Sequence, residues 1–166
     1  MLALKRTTLF STSISILSAF FLSLAVFFLT IVPTTAMAEQ KLVYGDYEVH
    51  YIGLSSDFLT AEVSKQYDIP RSRALGFLNI SVLQHSKDIE IPTSVNATIT
   101  GSIRNLIGQN RELEFRRIQE GKAIYYISTF RFDDGDMYNF DLDVVPSNAP
   151  QRHFDVKFSQ RFYEDN

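Results

Sequence analysis

One feature constrains this chain more than any other: apolar and polar side chains alternate with a period of two across most of residues 47–162. Successive side chains of an extended strand leave opposite faces, so alternation sends one set into a core and the other into solvent. The cleanest case is Val95, Ala97, Ile99, Gly101 and Ile103 alternating with Asn96, Thr98, Thr100 and Ser102. Tyr47, Val49 and Tyr51 alternate with Glu48 and His50, which predicts a half-buried strand with its aromatic face turned inward. The mostly apolar run from Ala74 to Leu83 reads as a central strand. Gly108-Gln109-Asn110 turns the chain before Leu113 and Phe115, and Glu120-Gly121 turns it again before Ala123 to Phe132. Asp133-Asp134-Gly135-Asp136 breaks the chain ahead of the alternating Tyr138, Phe140, Leu142 and Val144. Pro146 to Pro150 forms a polar loop, and Phe154, Val156 and Phe158, with Phe162 beyond, form the last strand.

Leu59 to Tyr67 departs from this period and reads as a helix of about two turns with Thr60 as its cap. About seven strands, one short helix and no alternation of strand and helix predict an all-β, immunoglobulin-like antiparallel β-sandwich. A small closed barrel with a ligand cavity is the competing architecture, because strand count does not separate the two.

Residues 1–38 read as a signal peptide, and residues 39–166 as a single β-sandwich domain. Lys5 and Arg6 are the only charges in the first 38 residues, an apolar stretch runs from Ile14 to Val32, and Ala36-Met37-Ala38 has the A-x-A form of a cleavage site. Cleavage is expected after Ala38, which places the protein in the periplasm. The alternative is an uncleaved inner-membrane anchor, since the 19 residues from Ile14 to Val32 approach the length that crosses a bilayer.

Composition narrows the chemistry. The absence of cysteine removes disulfides, thiolate metal sites and cysteine nucleophiles. Residues 39–166 carry 14 basic and 19 acidic side chains, a balance unlike the clustered basic surface of a nucleic-acid binder. Neither G-x-S-x-G, G-x-G-x-x-G nor a P-loop occurs. His50, His85 and His153 lack the close spacing of a metal-ligand motif, so neither metal nor cofactor is expected. The acidic run at Asp133 lacks the spacing of a calcium loop and reads as a turn. Asp141 and Asp143 are expected to face Lys157 and Arg161 across a sheet.

Several stretches resemble a known family: Gly45-Asp46-Tyr47-Glu48-Val49-His50-Tyr51, Phe58-Leu59-Thr60, Tyr67-Asp68-Ile69, Arg71-Ser72, Asn79-Ile80-Ser81-Val82, Leu106-Ile107-Gly108-Gln109 and Ala123-Ile124-Tyr125-Tyr126-Ile127. They are similar, in order, to small exported proteins of Gram-negative bacteria catalogued as domain of unknown function 4426. The resemblance implies a periplasmic protein of one all-β domain and brings no agreed activity, cofactor or catalytic residue.

The functional expectation is therefore a non-catalytic binding or protein-interaction module. A periplasmic hydrolase with a convergent site and a small-ligand carrier are the alternatives. Connections carry function more often than scaffold strands, which draws attention to Ser55–Arg73 and its paired guanidinium groups. The candidate binding residues are Tyr47, His50, Tyr51, Arg71 and Arg73: aromatics as a flat surface, arginines as an anchor for an anionic group. The competing reading of Arg71 and Arg73 is an internal one, fixing the helix against the sheet. The partner is expected to be a periplasmic protein or an anionic small ligand, with no nucleic acid and no membrane once the signal is cleaved.

Overall fold

The period-two alternation becomes ten strands among the residues that a computed structural model describes, 40–164. The expected signal peptide and its cleavage site at Ala38 lie outside those residues. The strands are β1 (Gln40–Tyr44), β2 (Tyr47–Ser55), β3 (Leu75–Ser86), β4 (Ile89–Ser94), β5 (Ala97–Asn105), β6 (Asn110–Glu112), β7 (Arg116–Glu120), β8 (Ala123–Arg131), β9 (Met137–Pro146) and β10 (Phe154–Arg161). One sheet has the order β1-β2-β3-β8-β7, with β4 pairing the far part of β3, and the other has the order β10-β9-β5-β6. Every pairing is antiparallel. Two separate sheets make this a sandwich, and the closed barrel falls away. Residues 39–166 form a compact unit of their own.

The sequence reading undercounts strands at the edges. β1 and β4 are short, and their alternation is brief. The single strand expected around Leu113 and Phe115 is two: β6 belongs to the second sheet and β7 to the first, with residues 113–115 carrying the chain between them. Leu113 is buried at this crossing, and its N–H donates to the Gly101 carbonyl at 2.9 Å. Strands that switch sheets make the corners of a sandwich. Gly101 also has no room for a side chain, since a Cβ there would stand 2.3 Å from the Asp141 carbonyl oxygen.

Between the sheets lies an aromatic core. Tyr51 stacks on Phe158 with centroids 4.2 Å apart, Phe158 stacks on Phe140 at 4.5 Å, and Phe130 meets Phe140 and Phe162 edge-on at 5.5 and 5.2 Å. Offset and edge-on aromatic pairs of this kind add to what area burial alone supplies.

The segment that breaks the alternation becomes a strap over the outer face of the first sheet. After β2 come a 3-10 turn (Ser56–Phe58) and the helix α1 (Ala61–Gln66), whose N-cap is Thr60 as the sequence predicts. The Thr60 hydroxyl accepts from the Val63 N–H at 3.3 Å. At the other end Asp68 adopts a positive φ of 50°, and the Ile69 N–H reaches back to the Ser64 carbonyl at 2.9 Å, a left-handed C-terminal cap. Beneath the strap, Ile69, Phe77 and Ile127 are buried with Leu54, Leu59, Tyr67 and Ile118 packed around them, a second and smaller apolar cluster. Ser56, fully buried, ties the strap down by donating to the Pro70 carbonyl at 2.8 Å and accepting from the Ser72 N–H at 3.0 Å.

Candidate functional site

The five expected site residues do not assemble. Tyr47 and Tyr51 are core residues, 3% and 9% exposed, because they share the inward face of β2 with Val49. Tyr47 packs on Phe154 and Tyr51 on Phe158, so neither ring offers a flat surface to a ligand. Arg71 and Arg73 lie past the far end of β2, where the strap returns, and Ser55 at that end is five residues from His50, about 16 Å along a strand. Arg71 donates to the Asp57 carbonyl at 2.8 Å and so pins the 3-10 turn, the internal role weighed above. Arg73 is exposed, while its carbonyl accepts from the Ser55 hydroxyl at 3.2 Å.

His50 does belong to a constellation, with other partners. It lies on the outer face of β2, as does Glu48 two residues earlier. Lys41 stands opposite His50 on β1, and His85 follows the Gln84 that pairs with Tyr47 on β3. These registers bring one carboxylate and three basic groups together. The Glu48 carboxylate accepts from Lys41 Nζ at 2.8 Å, lies 2.9 Å from His50 Nε2, and lies 3.1 Å from His85 Nε2. The Glu48 and His50 side chains are each 12% exposed, whereas Lys41 and His85 are nearly half exposed. Among the described residues, the strap packs over Leu54, Phe77 and Ile127 and not over Glu48, whose carboxylate is instead crowded by Lys41, His50 and His85. Hydrogen bonds from Lys41 first and His50 next, against an opposing desolvation, hold its carboxyl well below the usual 4.5, at about 2. It is an anion at any physiological pH.

The sequence did carry part of this site. Glu48-Val49-His50 places a carboxylate and an imidazole on one strand face, which is readable once the strand is recognised. Lys41 and His85 enter only through the pairing register, which no local pattern announces.

Elsewhere the charged residues take structural roles. Asp136 donates its N–H to the Asp133 carbonyl at 3.1 Å, closing the acidic turn. Asp141 faces Lys157 in register at 3.5 Å as expected. Asp143 instead meets His153 at 2.9 Å, and Arg161 donates to the Gly135 carbonyl. Among the described residues, no three His, Cys, Asp or Glu side chains are arranged to hold a metal ion as they stand. Of the surface hollows, one of about 490 Å³ lies between the strap's end and the Glu112–Arg116 corner, and one of about 370 Å³ lies over Ser102, Arg104, Asn139 and Asp141. A groove of about 230 Å³ runs beside the strap, lined by Leu59, Val63, Tyr67 and Ile118.

The fold and this face define a two-sheet antiparallel β-sandwich with a strapped outer face and a charged network on the same face outside the strap. The chain belongs to the family described as domain of unknown function DUF4426, whose profile matches residues 41–165. It is similar to a DUF4426 family protein of known crystal structure from Pseudomonas aeruginosa, with 30% identity, a TM-score of 0.65, and coverage of 77% of this chain and 97% of that one. The fold is shared with FetP of uropathogenic Escherichia coli strain F11, recombinantly expressed in the periplasm of E. coli, at 12% identity and a TM-score of 0.56 over 78% of this chain and 96% of that one. A copper-bound FetP variant with glutamate changed to glutamine matches at 12% identity and a TM-score of 0.52, over 75% of this chain and 94% of that one. No curated protein matches the chain.

Proposed function

We propose that this protein is a non-catalytic binding module of the bacterial periplasm, and that its ligand is taken on the outer face of the first sheet, outside the strap and around Glu48. The observation that carries this reading is a nearly buried, ionised carboxylate gathered with two imidazoles and an ammonium, outside the part of the sheet that the strap covers among the described residues. A scaffold needs no such cluster, because exposed sheet faces are served by separated polar side chains and surface ion pairs add little stability. A FetP structure with bound copper supports a binding role for a sandwich of this kind. An aromatic core stacked between the sheets argues against the carrier alternative, and the hollows named above open on the outside. The leader's A-x-A site supports the location, and FetP, of the same fold, was recombinantly expressed in the periplasm.

The test is native mass spectrometry of residues 39–166 after incubation with an unfractionated extract of periplasmic solutes. The expected result is an adduct that is lost in Glu48→Gln and kept in an Arg71→Ala, Arg73→Ala double variant. An adduct that survives Glu48→Gln but not the arginine changes would move the site to the strap. The absence of any adduct on folded protein would overturn the binding reading. The hydrolase alternative has one observation in its favour: Ser81 pairs with His50 in register, beside the Glu48–His50 contact. Turnover of activated esters that disappears in Ser81→Ala would establish it.

A further inference from the structure

We infer that the ligand of this face is a divalent first-row transition-metal ion, held by Glu48, His50 and His85 after displacing the Lys41 ammonium. This rests on the binding reading above and names its ligand class. Two imidazole nitrogens and one carboxylate form a donor set suited to such ions, whereas alkaline-earth ions take oxygen donors. Both imidazoles already reach the carboxylate: His50 Nε2 lies 2.9 Å and His85 Nε2 3.1 Å from a Glu48 oxygen.

The arrangement also explains why the donors do not yet enclose a point. His50 is two residues beyond Glu48 on β2, while His85 donates its N–H to the Asp46 carbonyl, two residues on the other side. The imidazoles therefore approach the carboxylate from opposite directions along the strand. Glu48 and His50 are the confined pair; His85 and Lys41 are the half-exposed pair. Swinging His85 toward His50 completes a three-donor set, and withdrawing Lys41 removes the positive charge that would oppose the ion. Lys41 is thus a built-in stand-in for the metal, neutralising Glu48 while the site waits. Its long flexible stem carries a compact ammonium that trades readily between a carboxylate and water.

The probe is Cu(II), which such sites bind most tightly among these ions, titrated into residues 39–166. The expected result is one equivalent bound, with electron paramagnetic resonance showing coupling to two imidazole nitrogens. Glu48→Gln, His50→Gln and His85→Gln should each weaken binding by more than about 10-fold, as loss of metal-shell groups does. Lys41→Met should tighten it, and His153→Ala should leave it unchanged. Circular dichroism of each variant separates loss of a ligand from loss of fold. Two results would overturn the inference: copper bound equally by wild type and His50→Gln, or Lys41→Met failing to tighten binding. If the periplasmic adduct of the preceding section forms and is metal-free, the binding reading stands and the metal assignment falls.

Discussion

The outer face of the first sheet is built in two ways along a single strand. Toward the end of β2, Leu54 lies under the strap with Phe77 and Ile127, and that half is apolar. Toward the beginning, Glu48 and His50 lie outside the cluster beneath the strap, and that half is charged. The backbone is the same and the face is the same; what differs, among the described residues, is whether the strap covers it. Coverage makes apolar side chains favourable by removing them from water, and its absence leaves polar groups to assemble their own shelter. The strap half therefore belongs to stability and the open half to ligand capture, and mutations in the two halves should separate those properties.

The largest effect is expected from Phe77→Ala in the covered half. Phe77 is 7% exposed at the centre of the satellite cluster, and removing so large a buried ring costs about 3–5 kcal/mol. Urea unfolding should show this loss, while the affinity of the open half at 25 °C should stay at the wild-type value. If Phe77→Ala weakens ligand capture as much as Glu48→Gln, the two halves are one coupled unit and the division fails.

How far these halves were legible in the sequence depends on how local their causes are. Alternation around Tyr47–Tyr51 and Val95–Ile103 named strands and their inward faces, because side-chain direction along a strand is fixed by backbone geometry. Thr60 announced its helix because a cap acts within three residues. The site was harder. Reading Tyr47 and Tyr51 as a surface conflicted with the inward face that the same alternation assigns them, and the core took them. Arg71 was legible as a candidate anchor, but its carbonyl partner lies 14 residues away through a turn that sequence does not describe. The charged network needed the pairings of β1, β2 and β3 together, which only the folded register supplies.

Smaller effects should follow the strap's tethers. Ser56→Ala removes a fully buried hydroxyl that serves Pro70 and Ser72, leaving backbone groups without it at a cost of about 1–3 kcal/mol. Thr60→Ala removes only the cap on an exposed helix, at a cost of about 1 kcal/mol. Amide hydrogen exchange should show both losses in residues 56–72 first, with β5 and β9 protected as in wild type. Equal loosening in both sheets would mean that the strap is not a separate element of stability.

The least visible effect at neutral pH belongs to Glu48, and acid should expose it. Its carboxyl titrates near 2 in the folded protein against 4.5 ordinarily, because Lys41 and then His50 bond the ionised form. A carboxyl whose folded value is depressed stabilises the fold fully above its unfolded value and loses that contribution as protons return. The stability lent by Glu48 should therefore be complete above about pH 4.5 and disappear as pH falls toward 2. Glu48→Gln has no proton to take up there. Unfolding midpoints of wild type and variant, measured from pH 7 to pH 2, should differ above about pH 4.5 and draw together as pH falls from there toward 2. The other carboxylates are common to both proteins and cancel in the difference. Curves that stay parallel into strong acid would mean that the network is too exposed to stabilise the fold, which would leave its grouping to be explained by ligand capture alone.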